Sequence, residues 1–165
     1  MSASLLLYTG YFGPYILAVL SLFTFLHRKM LLFGVISGFF VNQYVNADLK
    51  RVYREPRPSQ RYHYIATDFT EKVISASTLG VQEYGMPSGH SQNVWFFTSF
   101  MYFSLKSLPL TALFATISCL TGIQRVLYKN HTIKQVLMGA MVGGLFGYGW
   151  HYIITNSLPY LLPSS

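Results

Sequence analysis

Residues 5–26, LLLYTGYFGPYILAVLSLFTFL, contain no charged side chain, and a helix of that length crosses the ~30 Å hydrocarbon core of a bilayer. A cleaved secretory signal would place basic residues ahead of its apolar core. Here the basic cluster His27-Arg28-Lys29 follows it, so a retained membrane helix is expected. The rest of the chain agrees. It is 52% hydrophobic and 10% charged, against about 25% charged residues in soluble domains. Its 165 residues suit one domain, 1–165.

Apolar runs at about 5–26, 31–48, 91–105, 108–125 and 135–156 predict an all-α, polytopic bundle of about five membrane helices. The tail 157–165 is expected along the interface. Two helices carry a pattern beyond hydrophobicity. Asn42, Asn46 and Lys50 recur every four residues, a polar stripe that should face the bundle interior or a wet cavity. Gly139, Gly143 and Gly147 form a doubled small-xxx-small pattern, expected to pack within the chain rather than to dimerise it. Strict alternation of the five crossings puts Lys50, His90 and His131 at one membrane face.

Charge clusters there too. The net charge of +7 could suggest nucleic acid, but all five acidic and nine of the twelve basic residues fall in 48–89 and 125–134. That distribution suits an anion site between membrane segments. Cys119 stands alone, which excludes a disulfide framework and any cysteine metal spacing.

Three stretches gather at this face: KRVYREPRP (50–58), MPSGH (86–90) and QRVLYKNHTIKQ (124–135). They resemble the three signature motifs of the type 2 phosphatidate phosphatase superfamily, KxxxxxxRP, PSGH and SRxxxxxHxxxD. Lys50, Arg57 and Pro58 fit the first, Pro87 to His90 the second, and Arg125 and His131 the third. Nine fixed positions make coincidence negligible. The residue chemistry points the same way independently. A transferring phosphoryl group needs positioning and charge stabilisation. Arginine grips two oxygens at once, and lysine supplies a point charge. Ser88 and Gly89 are read as opening a helix whose first amides turn toward an anion.

The resemblance implies a phosphatase needing no metal or cofactor. His131 would be the nucleophile, His90 the general acid, and Lys50, Arg57, Ser88, Gly89 and Arg125 the phosphate-binding set. His27 and His151 are expected at the interface, and His63 in a solvated loop. Two positions depart from the motif: Gln124 replaces Ser, and Gln135 replaces the orienting Asp. Four residues past His131 on a helix, Gln135 is expected on the same face, where it can accept the imidazole N–H but brings no negative charge. The context GMPSGHSQ followed by HTxxQV resembles the dolichyl-diphosphatase branch. That branch implies a polyprenyl (dolichyl) diphosphate substrate, carrier recycling for N-glycosylation, and an endoplasmic-reticulum protein with a luminal site. The alternatives are a broader lipid phosphatase acting on phosphatidate or undecaprenyl or short prenyl diphosphates, and a non-catalytic headgroup binder.

The nine cations at the motif face would by themselves favour the cytoplasm. Several of them are claimed by the motifs, however, and the long 49–89 loop counts little toward that rule. The Asn130-His131-Thr132 sequon is read as accidental, since a glycan would block the nucleophile. A short interfacial helix bearing Phe69, Val73 and Ile74 is expected within 59–85. No oligomeric state is written in the sequence.

Overall fold

The computed structural model describes residues 3–58 and 83–157. The expected interfacial helix, His63 and the tail beyond residue 157 lie outside these residues. The described residues form five helices: α1 (Ala3–Phe25), α2 (Lys29–Tyr53), α3 (Gly89–Leu105), α4 (Leu108–Leu127) and α5 (Ile133–Tyr152), the last continued by a π-helical turn, Ile153–Ser157. No strand occurs among the described residues beyond one isolated bridge between Pro56 and Tyr84.

Among the described residues, three helices are long and apolar enough to cross a membrane: Leu6–Phe25, Lys29–Tyr53 and Leu108–Leu127. The remaining two, α3 and α5, form the most extensive helix pair in the bundle. α3 is the shorter of the two, at 17 residues. α3 begins with Gly-His-Ser-Gln-Asn, and α5 carries Lys134, Gln135 and a row of glycines.

α2 runs further than its hydropathy suggests. Lys50 and Arg51 lie in its last turn, where cations complement the carbonyl end of the helix dipole. Arg54 then ends it in the left-handed region (φ 47°), its N–H donating to the Lys50 carbonyl. Lys50 is therefore a helical residue aimed inward and 7% exposed, rather than a residue at the helix exit.

The bundle has two unlike halves. Phe25, Val35, Phe96, Phe100, Met101 and Phe114 pack together away from the motifs. In lipid such burial gains little, because the surroundings are equally apolar; close packing and interhelical hydrogen bonds must hold the helices. The glycine stripe provides the first. A methyl group on Gly139 would meet the Ser88 carbonyl at 2.5 Å, one on Gly147 the Phe96 carbonyl at 2.7 Å, and one on Gly143 the Gln92 carbonyl closer still. The stripe thus packs within the chain, as expected. Ser91 and Ser99 add hydroxyl bonds across the same seam, to the Val136 carbonyl (2.7 Å) and the Gly144 carbonyl (2.8 Å). Gly143→Val should force backbone apart and destabilise by about 1–3 kcal/mol or more. A thermal-unfolding midpoint in detergent equal to the parent's would contradict this.

Hydrogen bonds hold the other half. The α2 stripe faces α3, and Asn42 is fully buried. Asn42 Nδ2 donates to Asn93 Oδ1 (2.8 Å), and Gln92 Nε2 donates to Asn42 Oδ1 (2.8 Å). Asn46 Nδ2 donates to Gln92 Oε1 (2.8 Å) and, at 3.4 Å, to the Pro87 carbonyl. This ladder fixes the start of α3 against the end of α2.

Candidate active site

The polar half ends in a site assembled from four helix termini. Its deepest element is the turn between α4 and α5. Arg125 occupies the last turn of α4, and its carbonyl accepts from the N–H groups of Asn130 (3.0 Å) and His131 (3.1 Å). The five intervening residues thereby fold back, and both side chains end buried, 5% and 3% exposed. Asn130 is buried as well, with Nδ2 reaching the Tyr128 carbonyl. That leaves no accessible amide for a glycan.

His131 stands just ahead of α5, so Gln135 does not reach it along a helix face as expected. Thr132 is the N-cap of α5, and Gln135 is the third residue of a capping box. Thr132 Oγ1 accepts from the Gln135 N–H (3.2 Å), and Gln135 Oε1 accepts from the Thr132 N–H (3.2 Å). The same Oε1 lies 3.2 Å from His131 Nδ1. Gln135 Nε2 donates to Glu55 Oε1 (2.9 Å) and the Pro56 carbonyl (3.0 Å). The buried amide of one glutamine therefore ties the third motif to the first.

It ties in the second motif too. The Ser88 N–H donates to the Gln135 carbonyl (3.0 Å), and the Gly85 N–H to the Glu55 carbonyl (2.7 Å). A side chain at Gly85 would run into the Gln135 amide, 2.5 Å away. Ser88 is the N-cap of α3, accepting from the Ser91 N–H (3.5 Å), with Gly89 and His90 in the first turn. His90 bonds through its ring to the Tyr11 backbone and packs against the Tyr11 ring at 5.8 Å. Its Nε2 is buried without a hydrogen-bond partner among the described residues. α1 can bring Tyr11 here because it sits close on α4, with Gly10 against Gln124 and Gly13 against Thr121.

Three cations converge. Lys50, Arg57 and Arg125 act electrostatically on both imidazoles. Arg57 lies just past α2, its Nε making a long contact (3.5 Å) to the Tyr84 carbonyl. Burial, reinforced by Arg125, Arg57 and Lys50 and partly opposed by the Gln135 hydrogen bond, holds His131 well below the usual histidine value of 6.5. Its ring is accordingly neutral at pH 7. Glu55 is held below the ordinary glutamate range by hydrogen bonds from Lys134 and then Gln135. Lys134 Nζ lies 2.9 Å from Glu55 Oε2. Among the described residues, no group of three or more His, Cys, Asp or Glu could hold a metal ion.

All eight residues singled out in the sequence thus belong to one cluster. Sequence reasoning missed Glu55, Gln92, Asn93 and Tyr11. For Gln92 and Asn93 the signal was present: two amides opening an otherwise aromatic helix need partners inside the bundle. Nothing in the local sequence marks Tyr11.

Residues 30–159 match the PAP2 superfamily. Dolichyldiphosphatase 1 of Homo sapiens is 30% identical over 156 residues, covering 82% of this chain and 58% of that protein. Dolichyldiphosphatase 1 of Dictyostelium discoideum is 28% identical over 159 residues, covering 89% of this chain and 62% of that protein. Lipid phosphate phosphatase gamma of Arabidopsis thaliana is 27% identical over 129 residues, covering 72% and 51% respectively. The chain therefore spans less than two thirds of the length of each of these relatives. No solved structure matches it. The family match contains all three motifs whose side chains meet at the site, and this chain belongs to the PAP2 superfamily.

Proposed function

We propose that the chain hydrolyses a polyprenyl diphosphate, of the dolichyl type, to the lipid monophosphate and inorganic phosphate. One observation carries this reading: the same three cations act on two buried imidazoles at one end of a membrane bundle. The terminal phosphoryl group is held by Lys50, Arg57, Arg125 and the first-turn amides around Ser88 and Gly89, which suits a transition state that spreads charge over equatorial oxygens. With Nδ1 engaged by Gln135, His131 attacks phosphorus through Nε2. The P–O bond to the lipid phosphate breaks, and His90 protonates the departing oxygen. Water activated by His90 then cleaves the P–N bond and releases phosphate. No residue in this sequence of steps calls for a metal or cofactor.

The names of the dolichyldiphosphatase relatives support the substrate, and the glutamine at position 135 agrees with the branch resemblance. The same reading places the protein in the endoplasmic reticulum, site toward the lumen, recycling a lipid carrier for N-glycosylation. The lipid phosphate phosphatase relative favours a second reading, a broader enzyme acting on phosphatidate or short prenyl diphosphates. A panel of detergent-dispersed substrates assayed in EDTA separates the two: preference for phosphatidate would overturn the dolichyl assignment. Trapping a phosphoenzyme from polyprenyl diphosphate labelled in its terminal phosphate tests the mechanism, with the label expected on His131.

The lowered pKa of His131 has a kinetic consequence. A ring titrating below 6.5 keeps its lone pair in mildly acidic solution and loses it only as pH falls through that lower value. The acid limb of kcat/KM, which reports the free enzyme, should lie below pH 6.5. A limb at or above that value would contradict the charge and burial described here.

A further inference from the structure

The third motif ordinarily ends in an aspartate beside the histidine, and here a neutral glutamine stands in its place. The geometry points to Glu55 as the residue that makes up the difference: a positioning residue in a His131–Gln135–Glu55 relay, supplying at one remove the negative charge that Gln135 lacks. This inference deepens the phosphatase reading and rests on it for its kinetic arm alone.

The argument begins with the Gln135 amide. Its two ends are chemically distinct, and each end has partners that accept only one orientation. One end faces the Thr132 N–H, which requires an acceptor. The other faces the Glu55 carboxylate and the Pro56 carbonyl, which require a donor. Oε1 must therefore point to His131, and a carbonyl-type oxygen 3.2 Å from Nδ1 requires Nδ1 to carry the proton. Nε2 is left with the lone pair. Glu55 holds this arrangement from outside, and its charge also favours a positive His131 as the phosphoryl group bonds to the ring.

The opposing charges around the relay are Lys134, paired with Glu55, and Lys50, Arg57 and Arg125 around His131, with the His90 ring under the influence of the same three cations. Glu55 is the carboxylate that the described ion pairs and hydrogen bonds connect to this cluster. The glutamate falls in the unassigned middle of the first motif, KRVYREPRP, where the motif specifies only spacing.

The test has two arms. In histidine-15N-labelled protein in micelles, His131 should be the Nδ1–H tautomer, a readout that needs no turnover; an Nε2–H tautomer overturns the relay even in an active enzyme. In the kinetic arm, Glu55→Gln keeps the shape and removes the charge. Loss of such an outer partner should lower kcat about 10-fold, with KM within about twofold because Glu55 is outside the phosphate-binding set. Less negative charge near His131 lowers its pKa, so the acid limb should move to lower pH by roughly half a unit. Glu55→Asp, which retains the charge, should recover most of the loss. Parental kcat and acid limb in Glu55→Gln overturn the proposal, as does equal impairment of both variants with an unmoved limb. The expected tautomer in a protein that turns over no lipid phosphate would instead sink the phosphatase reading and leave the relay standing.

Discussion

Replacing His131 with alanine is expected to abolish turnover of polyprenyl diphosphate and the covalent label together. The ring is the proposed covalent nucleophile, and groups that act as a unit fail together when one is removed, so kcat should fall on the order of 10⁴- to 10⁶-fold. Misfolding is the obvious confusion, because His131 is buried and its N–H closes the turn onto Arg125. His131→Asn keeps that backbone and much of the volume, and should be equally inactive with an unchanged unfolding midpoint. Persistence of a labelled protein in either variant would move the nucleophile elsewhere. Retained biological function without any turnover would favour the headgroup-binding alternative.

The second large effect concerns His90. Its ring is anchored to the Tyr11 backbone, and its Nε2 is buried with no hydrogen-bond partner among the described residues. General acid catalysis contributes about 10²- to 10⁴-fold, and the contribution depends on the departing group. A lipid monophosphate releases an alkoxide, which needs its proton in the transition state. A diphosphate releases a phosphate, which leaves readily without one. His90→Ala should therefore slow monophosphate hydrolysis near the upper end of that range and diphosphate hydrolysis near the lower end. Equal losses on the two substrates would remove general acid catalysis from the account of His90.

How much of this was legible in the sequence depends on the range over which each residue acts. Membrane helices announce themselves because hydrocarbon tolerates few charges, and the three motifs because phosphate recognition demands particular side chains at fixed local spacing. The Asn42–Asn46–Lys50 stripe was equally readable, since one helix carries it. What stayed hidden involves two helices at once. Gln92 and Asn93 find partners only after α2 and α3 adopt a relative rotation, and α1 supplies Tyr11 only once Gly10 and Gly13 settle on α4. Glu55 and Gln135 are 80 positions apart, and no periodicity links them. Gln135 was read correctly as a partner of His131 but by the wrong route. A capping box, rather than a helix face, brings it there.

The glycine seam between α3 and α5 has a meaning beyond cohesion. α3 carries His90 in its first turn and α5 starts just after His131, so whatever sets their separation also sets the width of the gap proposed to hold the phosphoryl group. A methyl group on Gly139 would collide with the Ser88 carbonyl at the start of α3. The absence of side chains along one stripe therefore works as a gauge block, calibrating the jaws of the site from inside the bilayer.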